Sequence, residues 1–127
     1  MRKSVSILFF SLIPCIFIMA VALNKIRFRY GWSDAIWRTV MTPMTGTLWA
    51  PGFSEAKFAE VKIGMSSVEV TALLGAPLQK WCAQDGGLDC EWLYSWQDTP
   101  TADFDRRWVL FDQFGRVERL RHDFFID

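Results

Sequence analysis

Three cysteines and a single histidine are the side chains of this chain best suited to covalent or metal chemistry. Cys82 and Cys90 flank a loop that contains Gln84-Asp85-Gly86-Gly87. In an exported protein, two cysteines this close most often form a disulfide, which contributes about 2.5 kcal/mol in the chain-entropy model. Two cysteines and His122 are too few ligands for a zinc site. We therefore predict a Cys82–Cys90 disulfide, an unpaired Cys15, and no metal or other cofactor.

The acidic and basic residues near His122 do not form a recognisable catalytic pattern. His122 lies in an alternating strand pattern, in which its neighbours Arg121 and Asp123 point to the opposite face. Asp103 and Asp105 fall in a stretch that we expect to be a solvated loop. The sequence has no phosphate-binding glycine loop, Ser-His-Asp order or zinc spacing. We predict neither enzymatic activity nor a small-molecule substrate.

A short helix with clear start and stop signals lies near the middle of the chain. Ser66 can cap its start while Glu69, three residues later, returns the hydrogen bond, which is the capping-box arrangement. Met65 stands at a hydrophobic-staple position, Gly75 supplies the left-handed residue that ends the helix, and Pro77 prevents its continuation. The pattern predicts a helix over Ser67–Leu74.

A second short helix precedes it and repeats these signals. Ser54 can cap this helix, and Phe53 and Phe58 occupy the staple positions. Isolated helices shorter than about 12 residues are marginal in water. Both helices must therefore pack on a surface that the rest of the chain supplies.

Two apolar strand patterns follow these helices. Cys90 to Trp96 alternates with Trp92 and Trp96 on one face, and a hairpin joins residues 107–112 to 116–125 through a loop in which Gly115 takes the left-handed position. The first hairpin strand places Trp108 on one face and Val109 and Phe111 on the other. Two short helices cover only one face of a sheet, so the second apolar face indicates a partner, lipid or the preceding segment.

The segments FAEVKIGMSSVEVTALLGAP, CEWLYSW and WVLFDQFGRV together resemble the SmpA/OmlA, or BamE-like, family of small bacterial envelope proteins. The resemblance covers residues 53–125 and is most specific from Ile63-Gly64-Met65-Ser66 to Leu74-Gly75-Ala76-Pro77. It implies an α+β fold with two short helices packed on a three-stranded antiparallel sheet. It also implies a scaffolding role, since family members are parts of the outer-membrane protein assembly machine.

The N-terminal segment from Ser4 to Leu23 is apolar and uncharged. At about 1.5 Å per residue it reaches about 30 Å, the thickness of a hydrocarbon core, which predicts an uncleaved transmembrane helix. One alternative is a signal peptide cleaved after Ala20-Val21-Ala22, although the apolar run exceeds the usual signal core of about 7 to 15 residues. A lipoprotein signal ending at Cys15 is disfavoured because Ile13-Pro14 precede it.

Residues 24–52 are predicted to be an interfacial connector with an amphipathic helix from Asp34 to about Thr42. Trp32, Trp37 and Trp49 are of the type that settles at lipid headgroups, beside basic residues. The alternative is that this connector packs against its own domain. Basic residues stand on both sides of the predicted span, so the charges leave its orientation open.

The chain has 127 residues and no formal net charge, which fits one domain with an extension and argues against nucleic-acid binding.

We predict a transmembrane anchor over residues 1–23, the connector over 24–52, and a BamE-like periplasmic domain over 53–127. The predicted protein is a single-pass inner-membrane accessory subunit that binds a larger integral membrane-protein complex and lipid. Family members are typically outer-membrane lipoproteins, so an inner-membrane anchor argues against direct membership of the assembly machine. The alternative is a periplasmic module, released by cleavage, that binds lipid or inhibits a protein. The predicted contact residues are Trp32, Trp37, Trp49, Trp92, Trp96, Trp108, Val109 and Phe111.

Overall fold

The computed structural model describes residues 2–84, 86–100 and 102–126, with side chains from residue 12 onward. The chain forms two compact units, Met1–Pro43 and Met44–Asp127. We refer to them as the helical unit and the sheet unit.

The helical unit contains two helices, α1 (Arg2–Phe28) and α2 (Trp32–Val40), and a 3-10 turn over Thr42–Met44 follows. The side-chain amide of Asn24 on α1 donates a hydrogen bond of 2.9 Å to the hydroxyl of Thr39 on α2. Ala35 is fully buried in the unit. Helix α2 was predicted to begin at Asp34, but it begins two residues earlier, at Trp32 after Gly31, and has no side-chain cap.

The prediction of a transmembrane helix over residues 4–23 is wrong. In the described part of the chain, no helix combines the length and the apolar character that crossing a membrane requires. The C-terminal end of α1 carries the polar and basic residues Asn24, Lys25 and Arg27.

The sheet unit has the elements β1 (Thr47–Trp49), α3 (Glu55–Phe58), α4 (Ser67–Leu74), β2 (Gln79–Cys82), β3 (Cys90–Leu93), β4 (Ser95–Gln97), β5 (Phe104–Phe111) and β6 (Val117–Phe125). Strands β2, β3, β5 and β6 form a four-stranded antiparallel sheet in that order, and β1 pairs with β4 in a separate two-stranded sheet. The predicted α+β class with a single three-stranded sheet is therefore corrected to α+β with two sheets.

The additional strands arise from pairing across the chain. Strand β2 aligns with β3 so that Cys82 stands opposite Cys90, and β1 aligns with β4 so that Leu48 stands opposite Trp96. A strand of three or four residues is too short to show a recognisable alternation of apolar and polar residues. Its hydrogen bonds come from a partner strand that is distant in the sequence. The stretch from Cys90 to Trp96 is two strands rather than one, because it is interrupted at Tyr94.

The core of the sheet unit lies between the two short helices and one face of the four-stranded sheet. It includes Phe58 and Val61 from the α3 region, Val70 and Leu74 from α4, and Trp92, Tyr94, Val109, Phe111 and Val117 from the strands and their connection. The phenol of Tyr94 donates a 3.0 Å hydrogen bond to the carbonyl of Gly75. This bond ties the end of α4 to the sheet.

The predicted capping box of α4 is confirmed. The backbone N–H of Glu69 donates to the hydroxyl of Ser66 at 3.3 Å, and the backbone N–H of Ser66 donates to the Glu69 carboxylate at 2.7 Å. Gly75 has the predicted left-handed φ of 78°, and Met65 packs against the core. Pro77 lies in the loop directly after the helix.

The other predicted turn signals have mixed outcomes. Gly115 has a φ of 69° in the β5–β6 turn, as predicted. The backbone N–H of Gly64 donates to the carbonyl of Val117 at 2.8 Å, which joins the loop before α4 to β6. Ser54 is the N-cap residue of α3 but makes no side-chain capping bond, so that part of the prediction is wrong. Because α3 has only four residues, its contacts with the sheet must hold it in place.

Candidate functional site

The two faces of the four-stranded sheet differ in what covers them. Val109 and Phe111 point into the core beneath the helices, whereas Trp108 and Leu110 belong to a second apolar cluster with Leu93 and other residues. Among the described residues, that second cluster contains none from α3 or α4. The predicted doubly apolar sheet is therefore observed, and we call the face away from the helices the outer face.

Three tryptophans from three strands meet on the outer face. The ring centroids of Trp81 and Trp96 are 5.1 Å apart in an edge-to-face arrangement, and Trp81 lies 5.6 Å from Trp108. Trp96 and Trp108 are stacked at 5.6 Å. The indole N–H of Trp108 donates a 3.0 Å hydrogen bond to the carbonyl of Ser95, which fixes the orientation of this ring. Rings at these separations stabilise one another beyond their buried area.

Phe104 and Phe125 extend this group of rings along the sheet. Phe104 lies 5.5 Å from Trp96 and 5.3 Å from Phe125, measured between ring centroids. We define the outer-face cluster as Trp81, Trp96, Phe104, Trp108 and Phe125. Its members span β2, β4, β5 and β6.

Two arginines lie over the rings of the outer-face cluster. The guanidinium carbon of Arg106 is 5.2 Å from the ring centre of Trp108 and 4.9 Å from that of Phe125, and that of Arg121 is 5.9 Å from Trp108. Arg106 also makes two hydrogen bonds, of 2.7 and 2.6 Å, to the carboxylate of Asp123. The face thus combines aromatic surface with the guanidinium groups of Arg106, which is paired with Asp123, and of Arg121.

The three tryptophans of the outer-face cluster differ in accessibility. Trp81 is 44% exposed, Trp96 is half-buried, and Trp108 is only 8% exposed. A ring fixed by its neighbours and open to solvent loses little conformational freedom on binding another molecule. Trp and Arg are also the residues most enriched at the centres of protein interfaces. Trp81 therefore forms the accessible rim of the outer-face cluster.

The structure distributes the eight predicted contact residues over several environments. Trp96 and Trp108 lie in the outer-face cluster, whereas Trp92, Val109 and Phe111 lie in the core beneath the helices, each less than 9% exposed. Trp49 stacks on Phe53 at 4.8 Å. Trp32 and Trp37, on α2 in the helical unit, are 62% and 50% exposed.

Sequence reasoning missed Trp81, the most exposed ring of the outer-face cluster. The sequence predicted a loop flanked by Cys82 and Cys90 but no strand between Pro77 and Cys82, and Trp81 was not among the predicted contact residues. The predicted disulfide contained the missing signal, because a bridge between Cys82 and Cys90 brings the residues before and after them side by side. That bridge is confirmed, with the two cysteines at opposed positions of β2 and β3.

A group of three polar side chains, Glu55, Arg107 and His122, lies on the inner side of the sheet, beneath α3. Arg107 is fully buried, and its guanidinium forms an ion pair of 2.8 Å with the carboxylate of Glu55. The other oxygen of Glu55 lies 3.4 Å from Nε2 of His122, whose ring stacks against Phe58 at 5.9 Å. Sequence reasoning missed this group because its members come from distant parts of the chain.

The charge state of Glu55 follows from these neighbours. Burial by itself raises the pKa of the Glu55 carboxyl, but the hydrogen bond with His122 and the positive charge of Arg107 outweigh it and hold the pKa below its usual value. The stable carboxylate is suited to holding α3 on β5 and β6. Asp105 is likewise buried rather than solvated as predicted, and its carboxylate accepts a 3.2 Å hydrogen bond from the hydroxyl of Thr47.

No cluster of His, Cys, Asp and Glu suited to holding a metal ion occurs among the residues that the structure describes. No protein-family model, curated protein or solved structure matches this chain. The resemblance to the BamE-like family therefore remains a prediction that rests on the sequence motifs.

Proposed function

We propose that this chain is a non-enzymatic accessory subunit that binds a larger membrane-protein complex of the bacterial envelope. The outer-face cluster is the contact surface, with Trp81 at its accessible rim and Arg106 and Arg121 over the rings. The observation that carries the proposal is this partly exposed tryptophan, which is fixed by two further tryptophans on a sheet face away from the helices.

The chemistry of the cluster favours a protein partner. A contact surface of this kind gains affinity by burying the exposed part of Trp81, while the arginines provide directional hydrogen bonds to carbonyl or carboxylate groups. Arg119 is also exposed on β6, two residues before Arg121 and on the same face. The partner surface is therefore apolar at its centre and has acidic groups at its edge.

The periplasm is the compartment that we propose for the sheet unit. Disulfides persist in oxidising compartments and are rare in the bacterial cytosol, and the Cys82–Cys90 bridge lies in the same hairpin as Trp81. The sequence resemblance to small envelope proteins supports the same compartment.

Site-specific photocrosslinking in the native cells tests this proposal. A photoreactive phenylalanine derivative in place of Trp81 should give a discrete crosslinked product with one membrane protein, identified by mass spectrometry. The matched control has the same residue in place of Phe114, an aromatic side chain that is 73% exposed outside the cluster. This control should not give the product.

A substitution then tests whether the contact contributes affinity. Trp81→Ala should reduce co-purification of the crosslinked protein by about 30-fold or more, since truncation of a tryptophan that becomes buried at an interface costs about 2 kcal/mol or more. Phe114→Ala should leave it unchanged. The proposal fails if position 81 gives no product, or if Trp81→Ala retains the partner with a folded sheet unit.

A further inference from the structure

We propose that the helical unit binds the surface of a bilayer that contains anionic phospholipid. This inference concerns residues 12–40 and is independent of the outer-face cluster, so either proposal can fail without the other. Anionic lipid is identified as the binding partner by the combination of exposed apolar side chains and basic residues in one short segment.

Helix α2 presents an apolar arc that it does not use to pack against α1. At 100° per residue, Trp32, Ile36, Trp37 and Val40 fall on one side of the helix, and each is between 42% and 62% exposed. The side toward α1 instead carries the buried Ala35. An amphipathic helix with tryptophans on its apolar side is typical of segments that lie at a membrane interface.

Helix α1 adds further exposed apolar surface to the helical unit. Trp32 and Ile36 line an open apolar groove together with Phe17, Ile18 and Val21. Among the described side chains of α1, six apolar ones are more than half exposed: Ile13, Ile16, Ile18, Met19, Leu23 and Ile26. This much exposed apolar surface in a short segment indicates an apolar occupant.

The basic residues beside this surface favour anionic lipid over an apolar protein helix as its binding partner. Between residues 24 and 40 the chain has four basic residues, Lys25, Arg27, Arg29 and Arg38, and a single acidic one, Asp34. The ammonium group of Lys25 lies 5.2 Å from the ring centre of Trp32, so a positive charge stands directly beside an exposed tryptophan.

Arginines also flank a second groove of the helical unit. Arg27 and Arg38 line it together with Ala20, Leu23 and other residues of both helices. Positive charge next to apolar surface complements the phosphates and acyl chains of anionic lipid, whereas an apolar protein helix requires no such charges.

Flotation of the full chain with lipid vesicles tests this proposal. Vesicles of phosphatidylcholine with about one third phosphatidylglycerol should recover several times more protein than vesicles of phosphatidylcholine alone, and about 0.5 M salt should remove the difference. The variant Arg27→Gln/Arg29→Gln removes two exposed charges of the helical unit. It should weaken binding to the anionic vesicles about 25-fold, at about fivefold per charge.

The matched control removes the same charge from the sheet unit. Arg116→Gln/Arg119→Gln also replaces two exposed arginines and should change vesicle binding less than twofold. Brominated lipids should quench tryptophan fluorescence in the full chain, and Trp32→Phe/Trp37→Phe should remove most of that quenching. Circular dichroism verifies that the variants retain the wild-type helix content.

Three outcomes overturn the proposal. The first is equal binding to both kinds of vesicle, and the second is an equal effect of the two arginine pairs. The third has two parts: the chain does not float with either kind of vesicle, and it self-associates so that Trp32 and Trp37 are protected from an aqueous quencher. This result identifies a second copy of the chain as the binding partner.

Discussion

At the scale of single residues, the fully buried Arg107 is the least expected feature of the sheet unit. A charge away from water is tolerated only when it is paired, and Glu55 on α3 supplies a partner at 2.8 Å. This pair explains how a helix of four residues with no side-chain cap stays on the sheet. The ion pair therefore has a structural role.

Replacement of Glu55 by Gln should lower the free energy of unfolding by about 2 kcal/mol at neutral pH, since it leaves the buried charge of Arg107 without the carboxylate. The pKa of Glu55 in the folded state is below its unfolded value of 4.5. Its contribution is thus fully present above that pH and is lost as the pH falls through the folded-state pKa. Denaturant unfolding from pH 7 to pH 3 should show the two proteins converging in acid.

Glu60→Gln is the matched control for this experiment, because Glu60 is exposed shortly after α3. Its stability should stay within about 0.5 kcal/mol of the wild type at neutral pH. A constant difference between wild type and Glu55→Gln over the whole pH range would contradict the assigned charge state.

At the scale of the elements, local hydrogen bonds define where α4 begins and packing determines where it lies. The capping box joins Ser66 and Glu69 in both directions, and the same short segment bridges to β6 through Gly64 and Met65. Burial raises the pKa of the Tyr94 phenol, which therefore stays protonated and donates to the carbonyl of Gly75 at the other end of the helix. Helix α4 is thus fixed at both ends.

Ser66→Ala should lower the free energy of unfolding of the sheet unit by about 1 kcal/mol, because the backbone N–H of Glu69 loses its acceptor. Ser67→Ala, one residue further on at the first helical position, should have an effect below about 0.5 kcal/mol. Thermal or denaturant unfolding followed by circular dichroism measures both. Equal losses from the two substitutions would show that the capping bond does not stabilise α4.

At the scale of the whole molecule, the two compact units of the chain carry different functional groups. The helical unit exposes apolar and basic side chains, and the sheet unit carries the disulfide, the ion pair and the outer-face cluster. The disulfide joins an edge strand, β2, to the rest of its sheet. Because β2 carries Trp81, the bridge also stabilises the accessible rim of the proposed contact surface.

Cys82→Ser/Cys90→Ser should lower the free energy of unfolding of the sheet unit by about 2 to 3 kcal/mol, because the open loop gives the unfolded chain more freedom. Cys15→Ser should leave it unchanged, since Cys15 is a free, exposed cysteine of the helical unit. Maleimide labelling of the unreduced protein should modify Cys15 alone. Labelling of Cys82 and Cys90 in that sample would contradict the bridge.

The sequence alone was sufficient where neighbouring residues decide the structure. The capping box at Ser66, the ends of α4, the left-handed Gly115 and the disulfide were all predicted, because each depends on a few residues close together in the chain. Apolar alternation in β5 likewise predicted two apolar sheet faces. The family resemblance, the proposed partner and the cellular compartment remain predictions.

Only the tertiary structure decided which residues share a surface. It joined β2 to β3 and β1 to β4, brought Trp81, Trp96 and Trp108 together, and paired Arg107 with Glu55. It also corrected the transmembrane prediction and the strand number. Apart from the pairing of β2 with β3, which the predicted disulfide signals, strand partners and ion pairs depend on which distant segments are brought together by burial of the whole core.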